Sequence, residues 1–338
     1  MKKILVTGAT GYIAKHIILQ LLQAGYAVRG SLRGSAKETA LRDAMTKALG
    51  QDPGARLEFA HLDLTLDDGW DTALQGVDGL FHTASPLTFT PPKGENELIR
   101  PAVDGTVRAL NAAHKAGVKR VVLTSSVVAI TGTDKRSGQA FFDEQDWSDV
   151  KSPLTSAYDR SKTLAERSAW EIAKTHDIDL TTINPGLVLG APVDDAYGAS
   201  LGLIERFMEG KDPMAPNFGV VIVHVKDVAA AHIKAFENDS SIGERIIVAN
   251  EWFWLPEVTR MLKDQFPNRR IPVRQAPDFL IKFLALFDRS IKPVVPNLGR
   301  NAATSNAKAK TLLGMEFISG KDALLETGKY LAAQMDKK

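Results

Sequence analysis

Six short runs of strand-favouring residues recur along the first half of the chain, at 4–7, 27–32, 57–60, 79–83, 120–125 and 180–183. Each is apolar almost from end to end, which is the pattern of strands covered on both faces, as in a parallel sheet. Between them, 12–24, 36–49, 66–75, 97–116 and 156–176 read as helices. Gly25, Gly50, Gly76 and Gly117 stand where four of these should stop, as glycine does just past a helix end. Strands alternating with helices through right-handed crossovers dictate an α/β fold with a doubly wound parallel sheet.

The rhythm changes after about residue 185. Prolines become dense, and only 245–249 reads as a clear return to the sheet. The 338 residues therefore divide into a dinucleotide-binding Rossmann domain at 1–185 and a smaller C-terminal α/β lobe at 186–338. The lobe is expected to bind substrate and to interleave with the first domain, with about 220–250 returning to the large sheet.

The first strand runs directly into Gly8-Ala9-Thr10-Gly11-Tyr12-Ile13-Ala14 and then a helix. Glycines permit a tight turn and close backbone approach, and a helix N-terminus stabilises a pyrophosphate. Ala14 is small enough for helix and strand to pack. This context assigns Gly8, Thr10, Gly11, Tyr12 and Ile13 to a dinucleotide.

Charge then discriminates between cofactors. The chain is nearly neutral, at +2, yet residues 1–37 hold six Lys or Arg and no Asp or Glu. NAD sites place a carboxylate after the second strand for the ribose 2′-hydroxyl, whereas NADP sites place cations for the 2′-phosphate. Here that region carries Arg33 and Lys37, which selects NADP(H). Asp63, beside Leu64, is placed to accept the adenine amino group. Thr83, Ala84 and Ser85 are small residues at a strand's carboxyl edge, where a cofactor ribose would lie.

A fifth strand ends Thr124-Ser125-Ser126, and Tyr158 and Lys162 follow on one helix face at i and i+4. A tyrosine is a weak acid near neutral pH, and a cation beside it favours its anion. A serine at a strand end opposite them can hold a carbonyl oxygen in line. The set Ser126, Tyr158 and Lys162 is therefore the candidate catalytic group.

TGATGYIA, Ser126 and Tyr158-x-x-x-Lys162 resemble the extended short-chain dehydrogenase/reductases. The run from Gly94 to Thr106, and Arg120 to Ser126 followed by Trp147, are similar to one branch of that family. This branch holds the dihydroflavonol reductases, cinnamoyl-CoA reductases and methylglyoxal-type aldehyde ketoreductases. The resemblance spans about residues 1–250. It implies that Tyr158 is the proton donor, that Lys162 modulates it and holds ribose, and that Ser126 binds the carbonyl. It also implies that Thr124 or Ser125 touches the cofactor, and that Pro185 and the backbone up to Val188 face the nicotinamide amide. Asp227 belongs to a segment closing the substrate lobe. Thr131 stands where flavonoid reductases carry a substrate-binding asparagine, and Pro101-Ala102 replaces an asparagine pair of the epimerases. Phe89, Val127, Val128, Leu187 and Val188 are expected to make a largely apolar substrate pocket.

The expected activity is reversible hydride transfer between NADP(H) and an aldehyde or ketone with an apolar or aromatic substituent, an oxidoreductase acting on CH–OH groups. The competing readings are an NAD-dependent sugar-nucleotide epimerase or dehydratase on the same fold, and a non-catalytic dinucleotide sensor. No cysteine is present, so disulfides and thiolate metal sites are excluded, and the histidine spacing suggests no metal. The charge balance argues against nucleic acid, and no apolar run is long enough for a membrane span. A cytoplasmic monomer or homodimer acting on a small molecule is expected.

Overall fold

The computed structural model describes residues 1–85, 94–287 and 291–337. Its large sheet holds β1 (Lys3–Val6), β2 (Ala27–Leu32), β3 (Leu57–His61), β4 (Gly79–His82), β5 (Arg120–Thr124), β6 (Asp179–Pro185) and β9 (Arg245–Val248). The order is β3-β2-β1-β4-β5-β6-β9, and every pairing in it is parallel. The direction of strand succession reverses between β1 and β4, the place where doubly wound sheets open a crevice at their carboxyl ends.

Twelve helices accompany the strands among the described residues: α1 (Tyr12–Gln23), α2 (Glu38–Leu49), α3 (Trp70–Leu74), α4 (Asn96–Lys115), α5 (Val128–Thr131), α6 (Ala157–His176), α7 (Ala199–Met208), α8 (Val225–Glu237), α9 (Leu255–Gln265), α10 (Asp278–Leu284), α11 (Ala307–Leu313) and α12 (Gly320–Met335). Side chains alternate along the strands between two cores. Ile4, Val6, Phe81 and Val122 join α1, α2 and α8 on one face, while Leu5, Leu80, Val121 and Leu123 join α3, α4 and α6 on the other.

The doubly wound α/β fold and its strand succession are as expected, and four details differ. The second helix starts later, because a 3₁₀ turn over Ser35–Lys37 precedes it. The third is only five residues long, because Gly69 at φ 87 holds the chain left-handed just before it. Of 220–250, only β9 joins the large sheet. The remaining strand there, β8 (Gly219–His224), pairs instead with β7 (Leu187–Leu189) and β10 (Glu251–Trp254) in a separate three-stranded sheet. This second sheet depends on close backbone approach, since a Cβ at Gly186 would stand 2.3 Å from the Val221 carbonyl oxygen.

Candidate active site

One cavity of about 1090 Å³ lies along the carboxyl ends of β1, β2, β4, β5 and β6 and extends under the three-stranded sheet. At one end Gly8 takes φ +66, and a Cβ there would press on Ala84 at 3.0 Å. Its amide donates to Ser31 Oγ at 3.0 Å, and the Gly11 amide closes the turn on the Gly8 carbonyl at 2.8 Å. Helix α1 then opens with no side-chain cap and no acid in its first turn. Its leading N–H groups therefore meet the cavity without a compensating negative charge, a ready anion site.

Thr7 braces the facing edge. Its hydroxyl accepts from the amides of Thr83 and Ala84 at 3.0 and 3.1 Å, so its own proton goes to His82 Nδ1 at 3.0 Å. Arg33 lines the cavity at the end of β2, is exposed, and makes no hydrogen bond to a described residue. Asp63 accepts from the Thr65 hydroxyl and amide at 2.6 and 2.8 Å. Those bonds, with lesser help from Arg33, hold its carboxyl below the ordinary range.

The chemistry-bearing side chains stand at the centre. A capping box starts α6: the Asp159 amide donates to Ser156 Oγ at 3.2 Å, and the Ser156 amide donates to Asp159 at 2.8 Å. This fixes Tyr158 in the first helical turn and Lys162 one turn on. The Ser126 hydroxyl accepts the Val128 amide at 3.3 Å and lies against the Tyr158 phenol. Burial, with the neighbouring Asp159 charge, pushes the Tyr158 phenol up to about 12, although Ser126 opposes this. Burial also lowers the Lys162 ammonium to about 8, with Glu166 opposing. Removal from water thus outweighs the simple expectation that the lysine brings the tyrosine down.

Beneath these residues lies a network that no local motif marks. Glu166 is buried and accepts from Arg245 Nε at 2.6 Å, Asn184 at 2.8 Å, Thr182 at 3.2 Å and the Ser125 hydroxyl. Arg245 also donates to the Asp146 carbonyl at 2.7 Å and stacks on Trp147 with its guanidinium 3.7 Å from the ring centroid. Asn184 reaches on to the Ser126 carbonyl at 3.1 Å. The backbone that presents Ser126 is therefore fixed from below.

A model of the NAD dependent epimerase/dehydratase family matches residues 4–249. Cinnamoyl-CoA reductase 2 of Arabidopsis thaliana is 39% identical over 277 residues, covering 81% of this chain and 80% of its own. Cinnamoyl-CoA reductase 1 of the same plant is 35% identical over 334 residues, covering 98% and 89%. The solved structure of yeast methylglyoxal/isovaleraldehyde reductase complexed with NADPH superposes with a TM-score of 0.80 at 28% identity, covering 99% of this chain and 100% of that one. The chain belongs to the NAD dependent epimerase/dehydratase family, in the reductase branch of the extended short-chain dehydrogenase/reductases.

Set out in that family's terms, the cavity gathers Gly8, Thr10, Gly11, Tyr12, Ile13, Arg33, Asp63, Leu64, Thr83, Ala84, Ser85, Thr124, Pro185 and Val188 with Ser126, Tyr158 and Lys162. Val127, Val128, Thr131 and Leu187 line it further along. The Thr124 hydroxyl already bonds His232 at 2.7 Å. Lys37 is exposed at the N-cap of α2 and is not among the lining residues. Phe89 lies outside the described residues. Asp227 accepts the Ile318 amide at 2.9 Å, tying α8 to the C-terminal chain. Among the described residues no cluster of His, Asp or Glu could hold a metal, and no helix is long and apolar enough to cross a membrane.

Lining residues that the local sequence did not suggest come mainly from the C-terminal half. Trp252, Val294, Asn297 and Arg300 are brought in from segments far from every motif. Trp252 lies across Gly219, where a Cβ would collide with its ring at 1.9 Å, and its buried Nε1 has no hydrogen-bond partner among the described residues. The run Trp252-Phe253-Trp254 reads from the sequence as a packing cluster, yet Trp252 forms cavity wall.

Proposed function

We propose that the protein is an NADPH-dependent carbonyl reductase, reversible as an alcohol dehydrogenase, with Tyr158 as its proton donor. The observation that carries this reading is the convergence on one cavity of the uncapped α1 terminus, Arg33 and the set Ser126, Tyr158 and Lys162. The residues present fit NADP(H). The Gly8–Gly11 turn and α1 would hold the pyrophosphate, Arg33 the 2′-phosphate, and Lys162 the nicotinamide ribose. When bound, this cofactor supplies the hydride that reduces the carbonyl carbon.

The chain's own groups manage the oxygen. Ser126 donates to the carbonyl oxygen and keeps it beside the phenol. Tyr158, pushed up to about 12, is protonated at neutral pH and is a loaded acid. As its proton leaves, the ammonium of Lys162 stabilises the phenolate that forms. Val127, Val128 and Leu187 exclude water and favour an apolar or aromatic substituent.

The deciding assay follows NADPH oxidation with aryl ketones, α-keto esters, aliphatic aldehydes and diketones, with NADH in parallel. Turnover with NADPH well above NADH is expected. Protein that retains NAD and oxidises NADPH with none of them would instead support an epimerase or dehydratase.

A further inference from the structure

Beyond Ser126 and Tyr158 the cavity wall is mostly apolar, with Leu154, Leu187, Trp252 and Val294 contributing. Arg300 interrupts it. This arginine follows a 3₁₀ helix at Lys292–Asn297 and is held in place by two bonds. Its Nη2 donates to the Thr133 carbonyl, and its Nη1 donates to Asn297 Oδ1 at 3.3 Å. Asn297 in turn donates to the Leu154 carbonyl at 3.0 Å. The guanidinium is thereby fixed between the loop after α5 and the loop leading into α6, the two segments that frame Tyr158.

A guanidinium carries five N–H donors, and among the described residues only these two bonds engage them. Among the described residues no carboxylate pairs with Arg300. Asp134 is exposed and acts on it only as a more distant charge, while burial works against the guanidinium's proton. A second cation stands nearby. Lys135 donates to the Ala140 carbonyl at 2.6 Å. Lys135 and Arg300 both lie over the buried Phe142 ring, at 5.5 and 5.3 Å from its centroid. Burial, and then the charge of Arg300, weaken the Lys135 ammonium. Two like charges in a half-buried setting repel, and an anion arriving in the cavity would relieve them.

We propose that Arg300 anchors an anionic substituent, a carboxylate or a phosphate ester, on the carbonyl substrate, with Lys135 adding to the positive field. The inference rests on the reductase reading and narrows its substrate class. The apolar wall takes the body of the substrate, and the free edge of the guanidinium takes the oxygens of its far end in a fork.

The test compares three aldehydes on one scaffold with NADPH-saturated protein: methyl 4-formylbenzoate, 4-formylbenzoate and 4-formylphenyl phosphate. One anion is expected to exceed the neutral ester about tenfold or more in kcat/KM, carried by KM, a gain of the size of one charge-assisted pair. Which anion leads separates carboxylate from phosphate. In Arg300→Met the anion-to-ester ratio should fall to about one, and Arg300→Lys should keep part of it. Equal rates in the unaltered protein, or a ratio that Arg300→Met leaves unchanged, overturn the proposal. A second arm needs no turnover: terephthalate and phenyl phosphate are titrated into NADPH-loaded protein and read by the cofactor's fluorescence. A Kd at least about tenfold weaker in Arg300→Met supports the anion site even if no aldehyde is consumed and the reductase reading fails. Identical Kd values overturn it.

Discussion

Tyr158 is asked to give up a proton that its surroundings hold tightly, and that tension sets what its replacement should do. Tyr158→Phe keeps the ring in the wall and removes the acid. Carbonyl reduction should fall by about 10²–10⁴, the usual contribution of a positioned general acid, while NADPH affinity measured by fluorescence stays near that of the parent. Retained turnover would remove Tyr158 from the chemistry. Lys162 sets the pH limit. Its ammonium is lowered to about 8, so its charge is present below that pH and lost above it. The rate of reduction should therefore decline above about pH 8 in a buffered profile at saturating NADPH. At the adenosine end, Arg33→Ala should raise KM for NADPH about tenfold or more and leave KM for NADH nearly unaltered, as loss of a phosphate fork would.

These residues were legible because each belongs to a short pattern whose chemistry is local. Lys37 was not, since a 3₁₀ turn after Gly34 carries it onto an exposed helix cap. Arg300 had no local signal at all, because its meaning comes from Thr133, Leu154 and Phe142, distant in the chain.

Elements explain how rigidly the site is held. Helix α6 carries Tyr158, Lys162 and Glu166 on successive turns of one face, and Glu166 fastens that face to β5, β6 and β9 through Ser125, Asn184 and Arg245. Removing one charge of this buried pair leaves the other uncompensated. Glu166→Gln should lower unfolding free energy by about 3–5 kcal/mol, measured by urea titration. An effect below about 1 kcal/mol, ordinary for an exposed pair, would show that the network is not load-sharing. The strand and helix alternation was readable from apolar runs and helix-ending glycines. The second sheet was not, although β8 is apolar from Val220 to Val223, because its partners β7 and β10 lie some thirty residues away on either side and β7 is only three residues long.

For the molecule as a whole, acid sensitivity follows from imidazoles kept neutral inside. Burial lowers His16 to about 4, His82 to about 3 and His232 to about 4, all from 6.5. Below pH 6.5 the unfolded chain binds protons that the folded one refuses, so stability falls as pH falls from 6.5 toward 4. Glu326 adds a lower window. Its bond from the His224 imidazole holds it down at about 2 from 4.5, a contribution present above 4.5 and lost as pH drops from there toward 2. Thermal midpoints should hold between pH 7.5 and 6.5 and decline from there to pH 4, and a flat profile would contradict the buried neutral histidines.

The cavity's two ends are finished at very different moments in the chain. The glycine turn, Arg33, Ser126, Tyr158 and Lys162 all precede residue 190, whereas Val294, Asn297, Arg300 and Ala302 come near the end. Thr304 then bridges back to Phe142, and α12 packs under β8 and α7. A ribosome making this protein therefore emits every residue of the nucleotide end well before the residues of the opposing wall, and the core waits for the last helix, since Leu324 and Leu331 pack in the same cluster as Ile4 and Ile17.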